Sequence, residues 1–84
     1  ITDDNPRNEN PAAIRNEIAI HCKKSINIDG RKKAILKAIS IMKKNDILLI
    51  AGKGHEKTQE VKGKVSLFDD EIVAKEYFDK RFSL

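Results

Sequence analysis

The chain is 84 residues long, carries a formal net charge of +4 and has a sequence pI near 9.3. A chain of this length holds one domain at most and buries only about 60% of its unfolded surface, so its own stability is marginal. No apolar run reaches the roughly 18 residues of a membrane span, no signal peptide is visible, and the single Cys22 excludes an internal disulfide and fits a reducing cytoplasm.

In chain order, residues 1–3 read as the end of a strand. A chain that enters there without an initiator Met reads as a piece of a longer protein. Residues 4–10 are polar, contain Pro6 and form a loop. Asn10 can cap a helix whose first turn holds Pro11. Ile14, Ile18 and Cys22 recur at i, i+4 and i+8 as its apolar stripe, which places Cys22 in the core. Residues 25–28 are a short β-prone run. Asp29 or Gly30 caps a second helix with Ile35, Ala38, Ile39 and Met42 on its inner face. Lys43 and Lys44 favour its C-terminal end, and Asn45 can take the left-handed stop position. Residues 47–51, Ile-Leu-Leu-Ile-Ala, form the unbroken apolar run of a strand covered on both faces. Residues 60–67 alternate around Lys62-Gly63 as a hairpin. Asp69 or Asp70 caps a last helix whose inner face is Val73, Ala74, Tyr77 and Phe78, continued by Phe82. Two crossover helices between three short strands predict an α/β fold: a Rossmann-like, mostly parallel sheet with flanking helices.

Two loops follow strand ends in this reading, residues 4–7 and 52–56. In open α/β sheets ligands bind outside the carboxyl ends of strands, so both loops can face one crevice. Pro6 stiffens the first and pushes Asn5 toward an extended conformation. Arg7 offers a planar fork for a carboxylate, and Asn5 beside it can donate and accept. The helix that follows adds a partial positive field. In the second loop Glu56 can accept from an ammonium, while Gly52 and Gly54 allow close approach to the backbone. A carboxylate fork opposite an ammonium acceptor suits an amino acid.

Blander readings stand beside this one. Arg7 can simply pair with Glu9 on the surface, and Gly-Lys-Gly can be no more than a tight turn. A Walker A phosphate loop is excluded, because G-x-x-x-x-G-K-[ST] places its glycine before the lysine and here Gly54 follows Lys53. His55 reads as positioning or exposed, and it has no metal-ligand spacing to His21. Asp69 and Asp70 read as a helix cap rather than a metal pair. The lysines are scattered in pairs at 23–24, 32–33 and 43–44, and the aromatics fall late rather than among them. Base-stacking platforms interleave the two, so the charge reads as solvated surface, with no nucleic acid and no membrane as partner. The alternative is a non-enzymatic basic α/β module that binds nucleic acid or a protein.

The strings I-T-D-D-N-P-R at 1–7 and I-L-L-I-A-G-K-G-H-E at 47–56 together resemble the C-terminal domain of the Mur ligases, within them the UDP-N-acetylmuramoyl-tripeptide synthetases. Arg31 in D-G-R and Phe68-Asp69-Asp70 also fit, and the resemblance covers essentially the whole chain. It implies that residues 1–84 are the C-terminal portion of that domain. The activity it implies is an ATP- and magnesium-dependent amide ligase of peptidoglycan biosynthesis in the cytoplasm, adding meso-diaminopimelate to UDP-MurNAc-L-Ala-D-Glu. Carried over by motif, Asp4, Asn5, Arg7, Gly52 and Glu56 bind the distal end of diaminopimelate, and Glu56 takes its ammonium. The phosphate loop, the magnesium ligands and the uridine-binding domain are expected in N-terminal and central domains outside this chain. No catalytic or metal-binding residue is expected within it.

Overall fold

The computed structural model describes residues 1–53 and 55–82. Helix α1 spans Pro11–His21, and Asn10 caps it: its Oδ1 accepts from Ala12 N and Ala13 N at 2.9 and 3.2 Å. The residue that α1 buries is Arg15, whereas Ile14 is half-buried and Ile18 is exposed. Cys22 is exposed rather than in the core. The helix stops at His21, and Cys22 leaves the helical path at φ −132°, so the i+8 position no longer lies on the stripe.

Helix α2 spans Arg31–Ile41 and starts from Gly30 at φ 90°, with no side-chain cap from Asp29. Its buried Ile35 and Ile39 are the apolar core, and this face packs against helix α3, Asp70–Arg81. Met42 is already extended, so Lys43 and Lys44 lie beyond the helix. Asn45 is left-handed at φ 77°, but within the following turn rather than at the helix end. That turn is closed by Asp46 N donating to Lys43 O at 3.0 Å and Lys43 N to Asp46 Oδ2 at 2.7 Å. Asp69 caps α3, accepting from Glu71 N at 3.0 Å and Ile72 N at 3.4 Å. Acidic residues open α3 and Lys80 and Arg81 close it, both complementing the helix dipole.

Strands β1 (Thr58–Val61) and β2 (Lys64–Leu67) pair antiparallel, with Val61 opposite Lys64. The turn between them, Lys62-Gly63, has φ of 52° and 78°, the two positive values of a type I′ hairpin. This hairpin is the sheet of the described residues. The expected parallel, Rossmann-like arrangement of residues 1–3, 25–28 and 47–51 is not formed there as a sheet. One step of it is visible: Ile1 N donates to Ile26 O and Ile28 N donates to Ile1 O, both at 2.8 Å, the slanted pairing of parallel chains.

The run at 47–51 is covered on one face only. Leu48 and Ile50 are half-buried beside Ala34, Ile35 and Ala38 of α2, while Ile47 and Leu49 are 95% and 83% exposed. A strand apolar on both faces needs partners on both, and α2 supplies one. The molecule is a slab 41 × 31 × 16 Å. That thickness admits one helix layer, about 10–12 Å across, over one extended layer. Among the described residues no helix is long and apolar enough to cross a membrane.

Candidate functional site

The two loops singled out from sequence meet. Asp4, Asn5, Arg7 and Glu56 line one cleft of about 170 Å³, floored by Thr2, Pro11, Ile14 and Ile18. Enclosed small-molecule pockets begin near 300 Å³, so a cleft of this size covers one end of a ligand.

Asn5 joins the loops. Its Nδ2 donates to Glu56 Oε2 at 2.6 Å, and its Oδ1 accepts from Glu60 N at 2.8 Å. The hairpin holds the rest of the first loop. Gln59 Nε2 donates to Asp4 O at 2.8 Å, Arg7 N donates to Glu60 O at 2.9 Å, and Lys62 N donates to Arg7 O. Arg7 therefore forms a parallel bridge with Val61, and it does so at φ 53°, a left-handed conformation unusual for a side chain of this size. The residue itself is exposed. Among the described residues Arg7 forms no ion pair, with Glu9 or any other acid, and its Nη1 makes one long contact of 3.4 Å to Asn5 O. Glu56 keeps Oε1 free of protein partners among the described residues.

Gly52 does not line the cleft. Its φ is 101°, and a Cβ built on it would lie 3.3 Å from Asp4 Oδ2. Gly52 thus lets the two loops close on each other at Asp4. Gly54, the other glycine expected to open the backbone, lies outside the described residues. His55 and His21 are exposed, and no cluster of three potential metal ligands occurs among the described residues.

The cleft is bordered by buried charge, of which Asp3 and Arg15 line it directly. Arg15 donates from Nη1 to Asp3 Oδ1 at 2.5 Å and from Nε to Asn27 Oδ1 at 2.7 Å. Asp3 Oδ2 also accepts from Gly30 N at 2.9 Å. Arg31, 4% exposed, grips Asp70 with two bonds, Nε to Oδ1 at 2.7 Å and Nη2 to Oδ2 at 2.6 Å. Lys53, 2% exposed, donates to Glu56 O and, at 2.8 Å, to Phe68 O. Hydrogen bonding to Asp70, followed by the opposing effect of burial, leaves Arg31 above its ordinary value, with added help from the charges of Asp4 and Glu56. Arg15 and Lys53 escaped the sequence reading. The available signal was an arginine beside the apolar stripe of α1 and a lysine enclosed by glycines, neither of which distinguishes buried from solvated charge.

The site so built is zwitterionic. It presents a cationic fork on one loop and a carboxylate on the other, braced by a neutral amide. It can hold a carboxylate and an ammonium a short distance apart.

Residues 1–54 match the family described as Mur ligase, glutamate ligase domain. A UDP-N-acetylmuramoyl-L-alanyl-D-glutamate–2,6-diaminopimelate ligase of Anaplasma marginale is 52% identical over 71 residues, 83% of this chain and 15% of its own length. The like-named protein of Rickettsia bellii is 53% identical over 76 residues, 88% of this chain and 16% of its own. That of Halalkalibacterium halodurans is 42% identical over 85 aligned residues, 99% of this chain and 18% of its own. The chain thus spans less than a fifth of the length of these curated relatives. On the family match and on these identities, the chain belongs to the Mur ligase family, within its glutamate ligase domain.

Proposed function

We propose that this chain is the part of an ATP-dependent amide ligase that selects meso-diaminopimelate for addition to UDP-MurNAc-L-Ala-D-Glu in peptidoglycan biosynthesis. The observation that supports this reading is an Arg7 fork with no ion pair, and a Glu56 Oε1 with no protein partner, among the described residues, on one cleft. The distal end of diaminopimelate is a carboxylate and an ammonium on one carbon. Arg7 receives the carboxylate through two parallel bonds, and Glu56, oriented by Asn5, receives the ammonium. Asp4 and Gly52 set the closure of the two loops around that end. Lysine has no distal carboxylate, so binding it would leave Arg7 desolvated and unpaired, at a cost of about 2–5 kcal/mol.

The ATP and magnesium that such a reaction needs do not fit the described residues. The chain has no G-x-x-x-x-G-K-[ST] loop, and no carboxylate or histidine cluster of metal-site size occurs among them. We assign both to the N-terminal and central domains of the same cytoplasmic protein, and no step of the reaction to this chain. In that setting residues 1–84 are the C-terminal portion of the third domain, and residues 47–51 are a strand of its parallel sheet.

The test is Arg7→Ala in the full-length enzyme. The KM for diaminopimelate should rise at least about 30-fold, as loss of a desolvated charge pair requires. A normal KM would remove Arg7 from this role.

A further inference from the structure

The cleft is made of two loops, and the last residue before each is Asp3 and Ala51. One guanidinium touches both. Arg31 Nη1 donates to Asp3 O at 3.1 Å and Nη2 donates to Ala51 O at 3.3 Å, while Nε and Nη2 together hold Asp70. On the functional reading above, we propose that Arg31 is a positioning residue that sets the distance between the Arg7 and Glu56 loops, and so the spacing at which the distal carboxylate and ammonium of the amino acid are read.

The two loops are not held equally. Asp3 has ties besides Arg31, because its carboxylate is bonded by Arg15 and by Gly30 N. Ala51 O has Arg31 alone among the hydrogen bonds of the described residues. The loop it begins is tied to the approach of α3, through Lys53 donating to Glu56 O and Phe68 O and through Phe68 N donating to Lys57 O at 2.8 Å. Arg31 joins that approach to the first loop by way of Asp70. Without it, Asn5 and the hairpin still tie the two loops on the side of Glu56 and Arg7, but the start of the second loop at Ala51 loses its tie to Asp3, and the spacing set at that end is free to change.

Lysine cannot replace this. An ammonium is a point donor, whereas the contacts here spread over the three nitrogens of a rigid plane. The charge itself is constant in use. With Arg31 held above its ordinary value, its contribution is complete at neutral pH and is lost only as pH rises through that raised value.

The experiment is a double-mutant cycle in the full-length enzyme, with Arg31→Lys, Glu56→Gln and both. Small misplacements of binding groups cost large factors, so Arg31→Lys should raise the KM for diaminopimelate about tenfold, with the KM for ATP unchanged. If Arg31 acts through the placement of Glu56, the same change in the Glu56→Gln background should raise it less than about twofold. An equal rise in both backgrounds, a parallel rise in the KM for ATP, or no rise would each overturn the positioning role. Should Arg31→Lys fail to fold, Asp70→Asn replaces it in the cycle. That variant keeps the shape and one acceptor of the pair, and the same outcomes decide. Glu56→Gln and Arg7→Ala alone test the site itself. If neither alters the KM for diaminopimelate, the amino-acid reading fails and the role of Arg31 with it. If both do and the cycle shows no coupling, only the role of Arg31 fails.

Discussion

Gly52 stands at φ 101° with Asp4 Oδ2 3.3 Å from where a Cβ would be, so an alanine there meets both a backbone penalty and a neighbour. The left-handed conformation costs an L-residue about 1–2 kcal/mol, and the contact is relieved only by moving Asp4 or the second loop. Gly52→Ala in the full-length enzyme should therefore lower stability by roughly that amount in denaturant titration and raise the KM for diaminopimelate as well. Gly63→Ala is the control: its φ is 78°, but nothing lies within 4 Å of the added carbon, so it should affect stability alone. At this scale sequence was informative about exposed chemistry and silent about buried chemistry. Asp4, Asn5, Arg7 and Glu56 are recognisable because a fork, an amide and a carboxylate flank turn residues. Arg15, Arg31 and Lys53 are supports, and a buried cation looks the same in a sequence as a solvated one. As caps Asp69 and Asp70 are equivalent in sequence, and the partner that distinguishes Asp70, Arg31, lies 39 residues away.

The elements that could be read from the chain are those whose signals are local. Asn10 before Pro11, Asp69 before α3 and Lys62-Gly63 between alternating residues each satisfy backbone groups within a few positions. The parallel sheet is signalled by the run at 47–51 and by helices between short β-prone segments, and its formation depends on neighbours that those segments cannot supply locally. Among the elements that did form, the hairpin has a role that its sequence did not announce. It bonds the loop 4–7 at Asp4 O, Asn5 Oδ1 and both backbone groups of Arg7. The Arg7 and Lys62 amides should accordingly exchange with solvent as slowly as the paired amides of β1 and β2, although both residues are exposed. Exchange of the Arg7 amide at the rate of an open loop would show that the hairpin does not brace it.

At the scale of the molecule, the apolar core among the described residues is Ile35 and Ile39, while Ile47, Leu49, Val65, Leu67 and Ile72 are exposed. Small domains with so little buried apolar surface are marginal. The isolated 84 residues should bind a hydrophobic dye, unfold without a sharp transition, and turn over no UDP-muramoyl dipeptide. Absence of dye binding would contradict the first expectation, a cooperative denaturant transition the second, and product formation the third. The hydrogen bonds that build the cleft also carry a consequence for the order of assembly. Asn5 to Glu56, Gln59 to Asp4 and Glu60 to Asn5 link residues 51, 55 and 55 positions apart. Closing a loop that long costs entropy before any contact repays it. The helices and the hairpin turn can form from neighbours alone, whereas the cleft has no local precursor. On the function proposed above, discrimination between amino acids would then be the last property this chain acquires as it folds.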